Sequence, residues 1–458
     1  MLPSVPFVFD TKSARPALKD DASAEWVTYA ELSTRAAQWS GRLPESKCLV
    51  FLYIRNTIED VAALLGAMAT GHAVALFDPA LTAIARSNLE QRYRPDWVIE
   101  PGAEKPLRGP LNDRIDSIAP PLSLLLSTSG STGSPKLVRL TRAAVEANAT
   151  AIAEVLEIGS DDTAAGYLPL HYSYGLSVLT SHLCRGARIL LTDHGLMHSS
   201  FWPAIRAADV THLPGVPFHF QIMTKLGFNR LNLASLRTLT QAGGNLDVET
   251  RRRAHAFMNA AGGRFYVLYG QTEAAPRMTT LQHEAFETAE TSVGTALPGC
   301  RIEILNPDAT GAGEIVFHGP NVMLGYAERR EDLALGDVEK GRLLTGDIGR
   351  LDESGRLFIT GRAKRFAKVY GLRVNLDDLE QAANEIGPAA VVQNGEGVKI
   401  YLAGDASGAN LEDRSQSLLA HMLERFTLSR ASFEIVPIDA IPRTERGKID
   451  YRTLEGRT

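Results

Sequence analysis

Residues 128–136, TSGSTGSPK, close the apolar run SLLLS at 123–127. Gly130 and Gly133 let the main chain approach a ligand closely. Thr128, Ser129, Ser131 and Thr132 add hydroxyl donors, and consecutive amides form a nest for an anion. Lys136 brings a positive charge and Pro135 stiffens the exit. A triphosphate is the guest such a loop would suit. It is not the G-x-x-x-x-G-K-[ST] phosphate loop, because the glycine spacing differs and Leu137 follows the lysine. A flexible Gly/Ser linker is the bland alternative, but a linker does not usually separate an apolar strand from a helical stretch. His194 and His198, four apart in DHGLMHSS, have a metal-chelating spacing on a helix. The glycine between them, and the absence of H-E-x-x-H, favour an exposed loop.

The elements that must position this loop alternate. TYAELSTRAAQWSGRL reads as an amphipathic helix with Thr28 as N-cap and Glu31 three residues on, a capping box. CLVFLYI is a strand, VAALLGAMATGHAVALF (61–77) a buried helix, a turn at Thr70–Gly71 and a buried strand, LTAIARSNLEQRY a helix and DWVIE a strand. After the hydroxyl-rich loop the pattern resumes with RAAVEANATAIAEVL (helix), ARILLT (strand) and RFYVLYG (strand). Helices alternating with buried strands predict an α/β fold with a doubly wound, mostly parallel sheet. From about 290 to 362, short strands between Gly and Asp turns predict a β-rich subdomain. Beyond it NLDDLEQAANEI, AAVVQ, VKIYLAG and SQSLLAHMLERFTL predict a small α+β domain. The expected division is therefore 1–362 and 363–458.

Composition narrows the function classes. A chain of 458 residues is too long for one ordinary core. Its 48 basic and 53 acidic residues leave a net charge of -5, without the basic field that nucleic acid requires. Cys48, Cys184 and Cys300 are widely spaced and form no C-x-x-C, which fits a reducing cytoplasm. The first residues lack the pattern of a secretory signal, and the 61–77 run is too short and too interrupted for a membrane span.

TSGSTGSPK resembles the signature loop of the AMP-forming adenylate-forming enzymes: acyl- and aryl-CoA synthetases, peptide-synthetase adenylation domains and luciferases. Further segments resemble that family's motifs in the family's order. They are LPLHYSYGL (168–176), QAGGNL (241–246), YGQTE (269–273), GEIVFHGPNVMLGY (313–326), TGDIG (345–349), GRAKRFAKVYGLRVNLDDLE (361–380) and PRTERGKID (442–450). The resemblance implies a large N-terminal domain holding ATP and acid, and a small mobile C-terminal lid that pivots near Lys364. It implies two half-reactions. A carboxylate attacks the α-phosphate of ATP to give acyl-AMP and pyrophosphate, and a thiol then takes the acyl group. The first brings two anions together, so catalysis should rest on positioning and charge neutralisation.

Carried onto this sequence, the resemblance gives each residue a role. The 128–136 loop would hold the β- and γ-phosphates, and Gly243 and Gly244 would turn against the nucleotide. Glu273 would ligate Mg²⁺, a hard cation that prefers oxygen ligands, and Thr272 would donate to the α-phosphate. Tyr269 would lie on the adenine, Asp347 would accept from the ribose hydroxyls, and Arg362 would donate to the same sugar. Lys448 would bridge carboxylate and α-phosphate. His171 would line the acyl pocket, or be only a hydrogen-bonded structural histidine. Tyr172, Tyr174 and Phe218 would form an apolar or aromatic slot beside it, with Gly270 nearby.

The pocket segment carries no carboxylate to pair with an ammonium, so an acid without an α-amino group is expected. Gly371 sits where CoA-using relatives bring glycine near the pantetheine arm. Only ten residues follow Lys448, so the thiol is expected in trans, as CoA or as the phosphopantetheine of a separate carrier protein. The alternatives to an acid–thiol ligase are a stand-alone enzyme loading a carrier, and a nucleotide-binding protein without catalysis.

Overall fold

The structure, a computed structural model, describes residues 5–8, 10–109, 117–127, 136–362, 365–369, 372–395, 397–404, 411–426, 428–444 and 449–456. The expected α/β architecture is present. Thr28 caps the helix Tyr29–Ser40, accepting from Glu31 N at 3.2 Å, while Glu31 Oε2 accepts from Thr28 N at 2.7 Å. The 61–77 run is the helix Ile58–Ala69, a turn and the fully buried strand Ala73–Phe77.

A nine-stranded sheet runs in the order Thr295–Ala296, Arg277–Leu281, Arg264–Gly270, Thr238–Gln241, His212–Gly215, Thr163–Gly166, Arg188–Leu191, Pro16–Lys19, Val27–Thr28. Neighbours from Pro16–Lys19 to Arg264–Gly270 are parallel, and antiparallel strands finish both edges. The helices Pro217–Leu226 and Val248–Ala260 link successive parallel strands. Gly215, Gln241 and Gly270 therefore end three neighbouring strands on one side, where open α/β sheets place ligands.

A seven-stranded sheet has the parallel core Leu122–Ser127, Ala73–Phe77, Leu49–Tyr53, Trp97–Ile99. Here the structure corrects the expectation that the 128–136 loop leads straight into a helix. Leu137–Thr141 first turns back as an antiparallel strand, pairing Leu126 with Val138, and only then does the helix Arg142–Val155 begin. Arg139, at the strand's centre, is fully buried. Its guanidinium donates to the carbonyls of Leu324 (3.0 Å), Tyr326 (3.2 Å) and Gly336 (3.2 Å). Those carbonyls replace water, and this lets a charged residue sit in a core strand.

By packing, the chain divides into two compact units, Met1–Glu303 with Val316–Leu343, and Ile304–Ile315 with Leu344–Thr458. The expected β-rich segment is a four-stranded sheet of Arg301–Leu305, Gly313–His318, Arg342–Leu351 and Leu357–Arg362. The second unit holds a three-stranded sheet, Ala389–Asn394, Gly397–Ala403 and Phe433–Ile438. Its core joins Leu379, Val391, Ile400, Leu418 and Met422. No helix among the described residues is long and apolar enough to cross a membrane.

Candidate active site

The strand Arg264–Gly270 ends in a single 3-10 turn, Thr272–Ala274, that carries the two central candidates. Gly270 is required there. A Cβ on it would stand 1.9 Å from the carbonyl oxygen of Pro276, because the chain folds straight back into the antiparallel strand Arg277–Leu281. Two buried asparagines hold the returning segment. Asn148 Nδ2 donates to Arg277 O at 2.8 Å, and Asn321 Nδ2 donates to Ala274 O at 2.6 Å and to Arg277 O at 2.9 Å.

Asn321 comes from the 313–326 segment, and that segment makes two more contacts with the turn. Met323 N donates to Glu273 O at 2.9 Å, and Tyr326 Oη donates to Glu273 Oε1 at 2.7 Å. Lys136 Nζ lies 4.7 Å from the centre of the Tyr326 ring, a cation–π distance. Burial and the adjacent Glu273 carboxylate push the Tyr326 phenol well above its ordinary range, so it remains a donor. The lysine, tyrosine and glutamate thus form one chain of contacts drawn from three distant stretches of sequence. Among the described residues no hydrogen bond reaches Glu273 Oε2, and one carboxylate with substrate phosphates is a donor set that would suit Mg²⁺.

The pocket segment docks on the other side of the turn. Ser173 Oγ and Thr272 Oγ1 are 3.0 Å apart and buried. Tyr172 N-caps the helix Ser173–Leu183. Its hydroxyl would stand 2.6 Å from a Cβ on Gly243, whose φ of +82° itself favours glycine. Gln241 Nε2 donates to Gly244 O at 2.8 Å, which closes the Gly-Gly turn. His171 is buried, with Nε2 3.6 Å from Asp78 Oδ2. Tyr174 is buried, and its hydroxyl lies 2.8 Å from Thr240 Oγ1. Tyr269 is half-buried at the strand's end. Three of the motif segments, 168–176, 241–246 and 269–273, therefore meet where the parallel strands end.

A family model described as AMP-binding enzyme matches residues 119–327. Indoleacetate–CoA ligase of Aromatoleum aromaticum is 29% identical over 364 residues, covering 75% of this chain and 69% of that protein. 4-Coumarate–CoA ligase 2 of Nicotiana tabacum is 30% identical over 357 residues, covering 72% and 64%. Over residues 119–327 the chain is similar to the AMP-binding enzymes. Among solved structures, the o-succinylbenzoate CoA synthetase (MenE) of Bacillus subtilis with its acyl-adenylate has the same fold. The TM-score is 0.80 at 21% identity, covering 99% of this chain and 98% of that one.

Several residues that the family resemblance singles out are placed differently or fall outside the structure. Phe218 is 48% exposed at the start of the helix Pro217–Leu226. Arg277 lies over the Tyr174 ring at 5.2 Å, and the small cavity beside that ring has both apolar and polar walls. His194 and His198, outside the family motifs, lie on a loop as expected, stacked at 3.8 Å, with His198 Nδ1 2.8 Å from Ser200 Oγ. In the second unit, Asp347 is buried and its main chain pairs with that of Arg362, bringing the two neighbours across adjacent strands. Thr128, Ser129, Gly130, Ser131, Thr132, Gly133, Lys364, Gly371 and Lys448 lie outside the described residues. Asp78, Ser173, Asn321 and Tyr326 join the site without having been assigned roles. Ser173, Asn321 and Tyr326 lie within the motif segments 168–176 and 313–326, whereas Asp78 lies outside every one.

Proposed function

We infer that this protein is an AMP-forming acid–thiol ligase. It activates a carboxylic acid as acyl-AMP with release of pyrophosphate, then passes the acyl group to a thiol as AMP leaves. One observation carries the reading: Lys136, Tyr326 and Glu273 converge beside Thr272 at the end of a parallel strand. A cation, a fixed carboxylate and a hydroxyl there match what an α-phosphate under attack requires. Mg²⁺, held by Glu273 with the phosphates, would neutralise charge on the leaving pyrophosphate.

The protein's own groups divide the remaining work. Tyr326 keeps Glu273 in one orientation, and Ser173 does the same for the Thr272 hydroxyl. By the family resemblance, Asp347 and Arg362 serve the ribose, Tyr269 the adenine and the 128–136 loop the outer phosphates. Lys448 bridges the two anions during adenylation. The small C-terminal domain would pivot near Lys364, and Gly371 would give the pantetheine arm room.

CoA is the thiol we favour, because the relatives are named as CoA ligases. A carrier-protein phosphopantetheine offers the same arm and is the alternative. The acid is expected to lack an α-amino group, and the cytoplasm is the setting in which ATP and CoA are supplied. Incubation with ATP, Mg²⁺, an acid that supports turnover, and either CoA or a phosphopantetheinylated carrier tests the choice. The acyl-CoA and AMP are expected in equal amounts. Thioester formed only on the carrier would overturn the CoA reading, and neither thioester nor AMP would overturn the ligase.

A further inference from the structure

Arg277 is the first residue after the cis Ala275–Pro276 segment and the cross-strand partner of Gly270. It is 3% exposed. Other buried arginines in the same unit donate to protein oxygens. Arg139 donates to three or more carbonyls, Arg251 to the carbonyls of Glu290 and Ser292, and Arg330 to Asp96. The Arg277 guanidinium has no such acceptor among the described residues: Nη1 is buried without a hydrogen-bond partner, and the group rests on the Tyr174 ring. Burial lowers its pKa to about 10, which leaves it charged at neutral pH. A desolvated cation without a counter-charge is costly, and protein folds tolerate it mainly where something else supplies the anion.

The guanidinium borders a cavity of about 20 Å³ whose walls are mostly apolar, Ile152, Leu156, Val178 and Leu268 among them, with His182 and Thr240 as polar members. The cavity adjoins the site just described, since Tyr174 follows Ser173, the partner of Thr272. Its far end is of different character. Burial takes His182 down to about 3 and His212 to about 4, so both are neutral at pH 7. The His182 Nδ1 proton goes to Val178 O at 2.8 Å, which leaves Nε2 an unpartnered acceptor. That end suits a water or a hydroxyl, and the anion belongs at Arg277. The space as it stands holds about one water, so it admits an oxygen of the anion rather than a ring.

We propose that Arg277 closes the distal end of the acyl pocket and selects an acid with a second compact anionic group, foremost a dicarboxylic acid. This rests on the adenylation reading above. The reacting carboxylate goes to the α-phosphate, and the second one lies against the guanidinium, replacing its missing counter-charge. The same cation repels a substrate ammonium, in keeping with an acid that has no α-amino group.

The test pairs straight-chain dicarboxylates with monocarboxylates of equal length, and adds the ω-sulfonate analogues. Each is assayed by ATP–pyrophosphate exchange and, separately, by the thermal shift it gives the full-length protein. The wild type should favour the diacid by about a hundredfold in kcat/KM, the order expected when the analogue leaves a buried charged group unpaired. Arg277→Met should erase that preference and the diacid's thermal shift, while Arg277→Lys, which restores the charge, should recover part of both. Sulfonates that replace the diacids would generalise the site to compact oxyanions. Equal use of monoacids and diacids by the wild type, or a preference that Arg277→Met leaves intact, would overturn the inference without touching adenylation. Exchange absent with every acid would instead count against adenylation. An Arg277-dependent shift by the diacid would then still support the anion site, and its absence would refute it.

Discussion

Tyr326→Phe removes one oxygen and isolates one contact. The ring that faces Lys136 remains, and so does the Met323 N to Glu273 O bond that fixes the turn. What disappears is the 2.7 Å bond from Tyr326 Oη to Glu273 Oε1. A hydrogen bond to a charged group contributes about 1.5–3 kcal/mol, and about 1.4 kcal/mol is a tenfold change in an equilibrium or a rate. Loss of a group that orients a metal ligand typically costs about 10–100-fold in metal affinity or activity. The two figures agree. ATP–pyrophosphate exchange followed against free Mg²⁺ should show the half-saturating concentration rising about 10–100-fold. The rate at saturating Mg²⁺ should fall far less. The phenol stays protonated across the working range, so pH should leave the difference between variant and wild type unchanged. An unchanged Mg²⁺ dependence would refute the claim that Tyr326 orients a metal-binding Glu273. A rate loss that excess Mg²⁺ does not restore would mean that the hydroxyl acts on something else.

Other variants probe the supports on either side. Asn321→Ala deprives the buried carbonyls of Ala274 and Arg277 of a shared donor, at a cost of about 2–3 kcal/mol. It should lower both melting temperature and exchange rate, and loss of neither would show that the turn holds itself. Gly243→Ala forces a side chain into φ +82° and against the Tyr172 hydroxyl. The left-handed strain alone is about 1–2 kcal/mol, so KM for ATP should rise, whereas wild-type kinetics would remove the Gly-Gly turn from the nucleotide site. Lys448→Ala should slow adenylation by about 10²–10³ and largely spare thioester formation from supplied acyl-AMP. Equal damage to both steps would refute a bridging role.

Much of this was legible in the sequence because some signals are local. Thr28 and Glu31 announce a helix start, since a capping box needs only four residues. The 61–77 run gives its helix, turn and strand because burial on all sides leaves an uninterrupted apolar stretch. The motif order placed Glu273 and Thr272 correctly at a strand's end. Signals that depend on distant partners were lost. Leu137–Thr141 does not read as a strand because Arg139 breaks its apolar run, and the carbonyls at 324, 326, 335 and 336 make that arginine a core residue. Phe218 read as a pocket aromatic from its type, yet its place on the helix Pro217–Leu226 leaves it half exposed. Asp78, Ser173 and Asn321 are ordinary polar residues until the fold brings them to His171, Thr272 and the 274–277 segment. Arg277 hid for the same reason: its sequence neighbours say nothing of the counter-charge it lacks.

ATP–pyrophosphate exchange across aliphatic, aryl, dicarboxylic and amino acids, compared between the wild type and Glu273→Gln, tests the central claim most directly. It needs no thiol and reports on adenylation alone. The account predicts Mg²⁺-dependent exchange with one class of acid, and its loss by two or more orders of magnitude in the variant. Exchange that Glu273→Gln leaves intact, or silence with every acid from a folded protein that binds ATP, would contradict it.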